Sequence, residues 1–148
     1  MTETSHSSPP QEDGLGERVV LLLEDDDVHA AIIEHLLDSM GLLTLHVRDL
    51  AAARALLRER WVDMIVADLL LPDSMPMNSL SALLDLAERI PIVVVTAWMV
   101  PLHGLHGGTR LKLFDKCQFD PGAFKVLVRY LLSSAAPEER LNPFVDPL

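Results

Sequence analysis

The chain reads as an α/β fold, a parallel sheet covered by helices on both faces. Three observations predict it. Short runs rich in Val, Ile and Leu recur along the sequence, each of a length that suits a buried strand. Stretches with apolar residues at helical spacing separate them. The two kinds alternate, and alternation calls for parallel strands joined by right-handed crossovers. A length of 148 residues suits one domain, and a hydrophobic content of 49% is enough to fill a single core.

Each element has a local warrant. RVVLLLE (18–24) is the first strand. In DVHAAIIEHLLDSMG, residues Ile32, Ile33, Leu36, Leu37 and Met40 share one helical face, and Gly41 suits the stop. LLTLHV (42–47) is the second strand. Asp49 can cap LAAARALLRER, a helix whose Ala/Leu stripe over 50–57 is core packing. WVDMIVAD (61–68) is the third strand, and SLSALLDLAERI (79–90) the third helix, with Ser79 as its expected cap. PIVVVTA (91–97) and TRLKLFD (109–115) complete the strands. Asp120 followed by Pro121 opens the last helix, with the proline at its first position. Between the fourth and fifth strands, WMVPLHGLHGG stands where a helix is due. Pro101, Gly104, Gly107 and Gly108 predict a short, irregular connection instead.

The ends and the composition bound the rest. Residues 1–17 are polar and Ser/Pro-rich, with neither a basic nor an apolar signal region, and are expected to be a disordered leader. Residues 18–134 form the domain, and 135–148 an extended tail in which Leu141, Phe144, Val145 and Leu148 can dock on the domain or on a partner. No apolar run approaches the roughly 18 residues of a membrane span. A formal net charge of -10 speaks against direct nucleic-acid binding and against an anionic membrane. The single cysteine, Cys117, excludes an internal disulfide and fits a reducing cytosol, so a cytoplasmic location is expected.

In a sheet of this kind, function gathers at the carboxyl ends of the strands. Strand one ends in Glu24 and Asp25, strand three in Asp68, strand four in Thr96 and Ala97, and strand five just before Lys116. Acids crowded together repel unless a cation sits among them. Carboxylates with water oxygens suit Mg²⁺, a hard cation. Asp68 can then act as a nucleophile toward phosphorus, with Lys116 and the Thr96 hydroxyl supplying positive charge and a donor to the phosphoryl oxygens. Asp26 is a rival for the metal, because the acid run can slide by one. A helix starting here favours Glu24 and Asp25 as ligands and leaves Asp26 or Asp27 as the cap.

LLLEDDD before a helix, VDMIVADLLLPD, PIVVVTA and LFDKCQFD together resemble the receiver domain of two-component response regulators. The resemblance covers about residues 18–134. It implies a flavodoxin-like (βα)5 sandwich with sheet order 2-1-3-4-5, in which the proline and glycines of 98–108 make the fourth helix short or irregular. It implies that Glu24, Asp25, Asp68 and the backbone carbonyl of Leu70 hold Mg²⁺. Asp68 would accept a phosphoryl group from a sensor histidine kinase or a phosphotransfer protein. Thr96 would be the switch hydroxyl and Lys116 the phosphate-binding amine.

The chain departs from the family pattern at several places. Cys117 follows the lysine where proline is usual. SMPMNS follows LPD without the usual glycine. The spacing from Thr96 to Lys116 is slightly short. Leu113 occupies the switch position that is usually aromatic, and strand alternation points Phe114 to the other face. Trp98 and Met99 either belong to the core or stand in for the missing aromatic. His103 and His106 lack the further ligands a zinc site needs. These departures gather on the surface that carries the family's signal and often forms its active dimer, so a homodimer stays open.

The expected function is a stand-alone phosphoacceptor, not an enzyme, that switches contacts with a downstream protein. The alternative is a docking module of the same fold that works without phosphorylation. A phosphohydrolase is disfavoured, because such enzymes commonly carry an acid where this chain has Leu70.

Overall fold

A computed structural model of the chain describes residues 17–98 and 111–133. The expected leader, the irregular connection with Met99, His103 and His106, the first two residues of the expected fifth strand, and the tail fall outside the described residues.

β1 (Val19–Leu23), β2 (Leu43–Val47), β3 (Met64–Ala67), β4 (Ile92–Thr96) and β5 (Leu111–Asp115) form one sheet in the order β2-β1-β3-β4-β5. All pairings are parallel. This is the flavodoxin-like order, with β1, β3 and β4 in the centre. Central strands buried on both faces need continuous apolar runs, and VVLLL, MIVA and IVVV supply them.

Strand alternation sorts the core into two layers. Leu21, Leu23, Ile65 and Val94 face α2 (Leu50–Glu59) and α3 (Pro76–Leu86). Val20, Leu22, Met64, Val66 and Val93 face α1 (Asp27–Ser39) and α4 (Pro121–Ser133). Leu113 lies on the first layer and Phe114 on the second, as alternation predicts. Phe114, Phe119 and Phe124 meet in the second layer at centroid distances of 5.3–6.0 Å.

The helix caps follow local chemistry. Asp26, Asp49 and Asp120 each accept amide hydrogens from the turn that follows. α1 buries Ile33, Leu37 and Met40 as its period requires, while Ile32 on the edge of the stripe stays half exposed. Gly41 takes φ 81°, the left-handed conformation that ends the helix.

α3 corrects the sequence reading. It begins at Pro76, not at Ser79, and its first residues carry no side-chain cap. Proline at the first helical position has no amide hydrogen to satisfy and its φ is already set, which favours a helix start there even without a capping side chain. Ser79 is buried inside the helix, where its hydroxyl donates to Ser74 Oγ at 2.9 Å.

Buried acid chemistry also ties the sheet's lower edge. Asp63 accepts from the Val19 amide at 2.8 Å and from Trp61 Nε1 at 2.9 Å, and its own amide donates to the Val19 carbonyl at 2.7 Å. The entry to β3 is thereby locked to the entry of β1. At the other end of the chain's path, Arg18 donates to the carbonyl of Leu132 at 2.7 Å and closes α4 onto the sheet.

Candidate functional site

The ladder of β1 stops at Leu23, so Glu24 and Asp25 stand at the carboxyl edge of the sheet. Asp26 then caps α1, accepting from the amides of Val28 at 3.0 Å and His29 at 3.4 Å. A carboxylate there meets orphan N–H groups and the positive end of the helix dipole. The acid run therefore divides. Asp26 serves the helix, while carboxylate oxygens of Glu24, Asp25 and Asp68 lie within 4.8 Å of one another.

β2 holds this loop from the side. His46 Nε2 donates to the carbonyl of Glu24 at 2.7 Å, and Arg48 donates to the carbonyl of Asp25 at 3.1 Å. Arg48 also pairs with Asp27, and that hydrogen bond holds the Asp27 carboxyl below the usual carboxylate range.

Asp68 sits one residue past β3 and is buried. Its amide donates to the carbonyl of Leu23 at 2.9 Å, which fixes it beside the end of β1. Both carboxylate oxygens are engaged. Oδ1 accepts from the Leu70 amide at 3.1 Å, and Oδ2 from Lys116 Nζ at 2.8 Å. Lys116 follows β5 in a short 3-10 turn, Lys116–Gln118. The same ammonium reaches Glu24 at 3.1 Å and 3.3 Å, so it bridges two buried acids. Burial pulls the Lys116 ammonium down. The hydrogen bond it donates to Asp68 and the charges of Asp68 and Glu24 outweigh it, and its pKa stands above the ordinary lysine value.

Thr96 ends β4 fully buried, in register with Asp115. Its Oγ1 accepts from the Trp98 amide at 3.2 Å, which leaves its own proton free to donate. Ala97 is exposed and Trp98 half-buried, the latter packed with Leu113 against the α2–α3 layer. Where proline is usual, the Cys117 amide donates to Asp115 Oδ1 at 2.9 Å, a bond that proline could not make.

Sequence reasoning missed three supports: His46, Arg48 and His29. His29 lies two residues past the acid run, in the first turn of α1, with its ring edge-on to Phe119. Its Nδ1 is 3.3 Å from Glu24 Oε1 but lacks hydrogen-bond geometry. No spacing rule announces such pairs, since they arise from strands and helices that meet only on folding.

The donor set fits a hard divalent cation. Three carboxylate oxygens within 4.8 Å of one another are close enough to ligate one octahedral Mg²⁺, whose opposite ligands at about 2.1 Å stand roughly 4.2 Å apart. An ammonium already offsets part of their repulsion. A buried carboxylate beside donors and positive charge is also the arrangement that nucleophilic attack on phosphorus requires.

A family model for the response regulator receiver domain matches residues 20–103, more than half of the chain. Among solved structures, the non-phosphorylated HemR receiver domain of Leptospira biflexa aligns with a TM-score of 0.66 and 22% identity, covering 82% of this chain and 98% of that one. The receiver domain of the sensor histidine kinase PA1611 of Pseudomonas aeruginosa, which has a magnesium ion coordinated in its active-site cleft, aligns at 0.62 and 24%, covering 80% and 100%. The anti-anti-sigma factor PhyR of Bartonella quintana aligns at 0.65 and 26%, covering 79% of this chain and 49% of that one. A comparison with curated proteins finds no match. No described helix is long and apolar enough to cross a membrane. The strand order, the acid–lysine edge and the family match agree, and the chain belongs to the response regulator receiver domain family.

Proposed function

We propose that this receiver domain accepts a phosphoryl group on Asp68 from a histidine kinase or phosphotransfer protein and thereby switches its contacts with a downstream protein. One observation carries the reading: Lys116 Nζ, from the turn after β5, bridges Asp68 at 2.8 Å and Glu24 at 3.1 Å across the sheet edge. A surface lysine has no reason to be drawn between two buried acids. A phosphate-binding lysine must stand within reach of the nucleophile.

The proposed chemistry is a transfer between two carriers. An Asp68 carboxylate oxygen forms a bond to phosphorus as the P–N bond of the donor phosphohistidine breaks. The electron pair returns to the imidazole, which takes up a proton. Lys116 shifts from the free carboxylate to the phosphoryl oxygens, and the Thr96 hydroxyl donates to the same group. Glu24, Asp25, Asp68 and the carbonyl of Leu70 would hold Mg²⁺, which supplies charge neutralisation for the incoming phosphoryl oxygens. Before transfer the Leu70 amide steadies Asp68 Oδ1.

Intact-mass measurement after acetyl phosphate and Mg²⁺ tests the reading. The wild type gains one phosphoryl group, and Asp68→Asn gains none. An unmodified wild type with an intact fold overturns it. That result would favour a second reading, a docking module independent of phosphorylation. Leu113 at the usual aromatic switch position and Cys117 at the usual proline support that alternative. PhyR, a receiver-containing anti-anti-sigma factor, offers a parallel for output through protein contacts in either case.

A further inference from the structure

Signal must leave the site by some path, and the described residues contain one that the usual switch does not use. Leu70 donates its amide to Asp68 Oδ1. The chain then makes a tight turn, closed by an antiparallel bridge between Leu71 and Ser74. At its tip, Asp73 extends its carboxylate to the first turn of α2. Oδ1 accepts from the Leu50 amide and Oδ2 from the Ala51 amide, each at 3.0 Å. Asp49, the local cap, takes only the Ala52 amide at 2.7 Å. The start of α2 is thus capped twice, once from its own chain and once from the turn that begins at Asp68. Those two amide bonds hold the Asp73 carboxyl below the usual carboxylate range.

The same turn leads into α3, through the Ser79 to Ser74 hydroxyl contact. Between α2 and α3 lies an apolar cavity of about 310 Å³, lined by Leu50, Ala53 and Leu57 on one side and by Ala82, Leu83 and Leu86 on the other. Partly open to solvent and lined also by Arg54, Arg58 and Asp85, this pocket leaves the α2–α3 contact incompletely filled. Trp98 and Leu113, from the two ends of the altered switch region, pack against this same layer.

We propose that Asp73 is a positioning residue that couples Asp68 to the N-terminus of α2, so that the α2–α3 face reads the state of the site. The coupling rests on the phosphoacceptor reading above. A phosphoryl group on Asp68 changes the hydrogen bond to the Leu70 amide, the turn over 69–74 moves, and the double cap on α2 is strained or released. Linkage makes the effect reciprocal: altering the cap alters the site.

Hydrogen exchange of the amides of residues 50–53, measured beside intact mass on the full chain with acetyl phosphate and Mg²⁺, tests it. Wild type and Asp73→Ala are compared at matched phosphoryl occupancy, with Asp73→Asn as a milder variant that keeps one acceptor. The expected result is an exchange change of at least about fivefold in the phosphorylated wild type, the lower end of ordinary coupling. In Asp73→Ala these amides exchange fast from the outset and no longer respond, and Asp73→Asn falls between. A wild type that gains the phosphoryl mass while the amides of 50–53 stay unchanged overturns the proposal alone. So does an Asp73→Ala variant that responds as the wild type does. A wild type that gains no phosphoryl mass overturns the phosphoacceptor reading, and this proposal with it.

Discussion

The two faces of the sheet are built differently. The α1–α4 face is packed around Phe114, Phe119 and Phe124, three rings in mutual edge contact. The α2–α3 face is mostly aliphatic, with Trp98 packed against it, and holds a partly open pocket of about 310 Å³. Both faces touch the site. The first carries the helix that Asp26 caps and the ring of Phe119, which abuts His29 beside Glu24. The second carries the turn from Asp68 to α2. The contrast is one of packing: rings in contact with one another on one face, a mostly aliphatic layer with a partly open pocket on the other.

Four experiments break or sharpen this contrast. The largest effect belongs to the aromatic cluster. Phe124 is fully buried, and Phe124→Ala is expected to cost about 3–5 kcal/mol by urea unfolding, because Phe114 and Phe119 lose a common neighbour. A loss below about 1 kcal/mol would mean that this face is as loose as the other.

Next comes Lys116→Met. It leaves Asp68 and Glu24 buried without their shared cation. The expected loss is about 2–3 kcal/mol, below that of a fully buried pair because the lysine side chain keeps 18% of its exposure. Denaturation in Mg²⁺ should show a smaller loss than in a chelator, since a divalent cation offsets the same repulsion. Equal losses in both would speak against a cation among these acids.

A matched pair of enlargements addresses packing itself. Ala82→Leu points into the cavity and is expected to stabilise by about 1 kcal/mol. Ala30→Leu, on the packed α1–α4 face, is expected to destabilise by about 1–3 kcal/mol. Effects of the same sign would remove the difference between the faces.

The smallest effect is a pH dependence. The Asp73 carboxyl is held below its ordinary value of about 3.9 by the α2 amides. In the interval below that value the unfolded chain binds the proton and the folded chain does not. The cap's contribution is therefore complete above about pH 4–5 and is lost as pH falls through the folded value. Wild type should exceed Asp73→Asn in stability near neutrality, and the gap should close on acidification. A gap independent of pH would mean that Asp73 acts through something other than its charge.

Much of this was legible along the chain, and the exceptions share a cause. Asp26, Asp49 and Asp120 announce their helices because a cap acts on amides two or three residues away. The strands announce themselves because burial on both faces demands uninterrupted apolar runs. Even the meeting of Glu24, Asp25, Asp68, Thr96 and Lys116 at one edge follows once five strands are read as parallel, for all their carboxyl ends then point the same way. The start of α3 is not where Ser79 suggests a cap, because Pro76, with its φ preset, opens the helix three residues earlier.

Sequence by itself thus determined the elements, their alternation and the edge where the acids gather, since each rests on contacts within a few residues or on a period. Tertiary structure alone decided what holds that edge and where it leads. Asp73 on the first turn of α2, His46 on the Glu24 carbonyl, Lys116 between two acids and the cavity between α2 and α3 each join segments distant in sequence. Such pairings are set by how layers pack, and packing has no period to read.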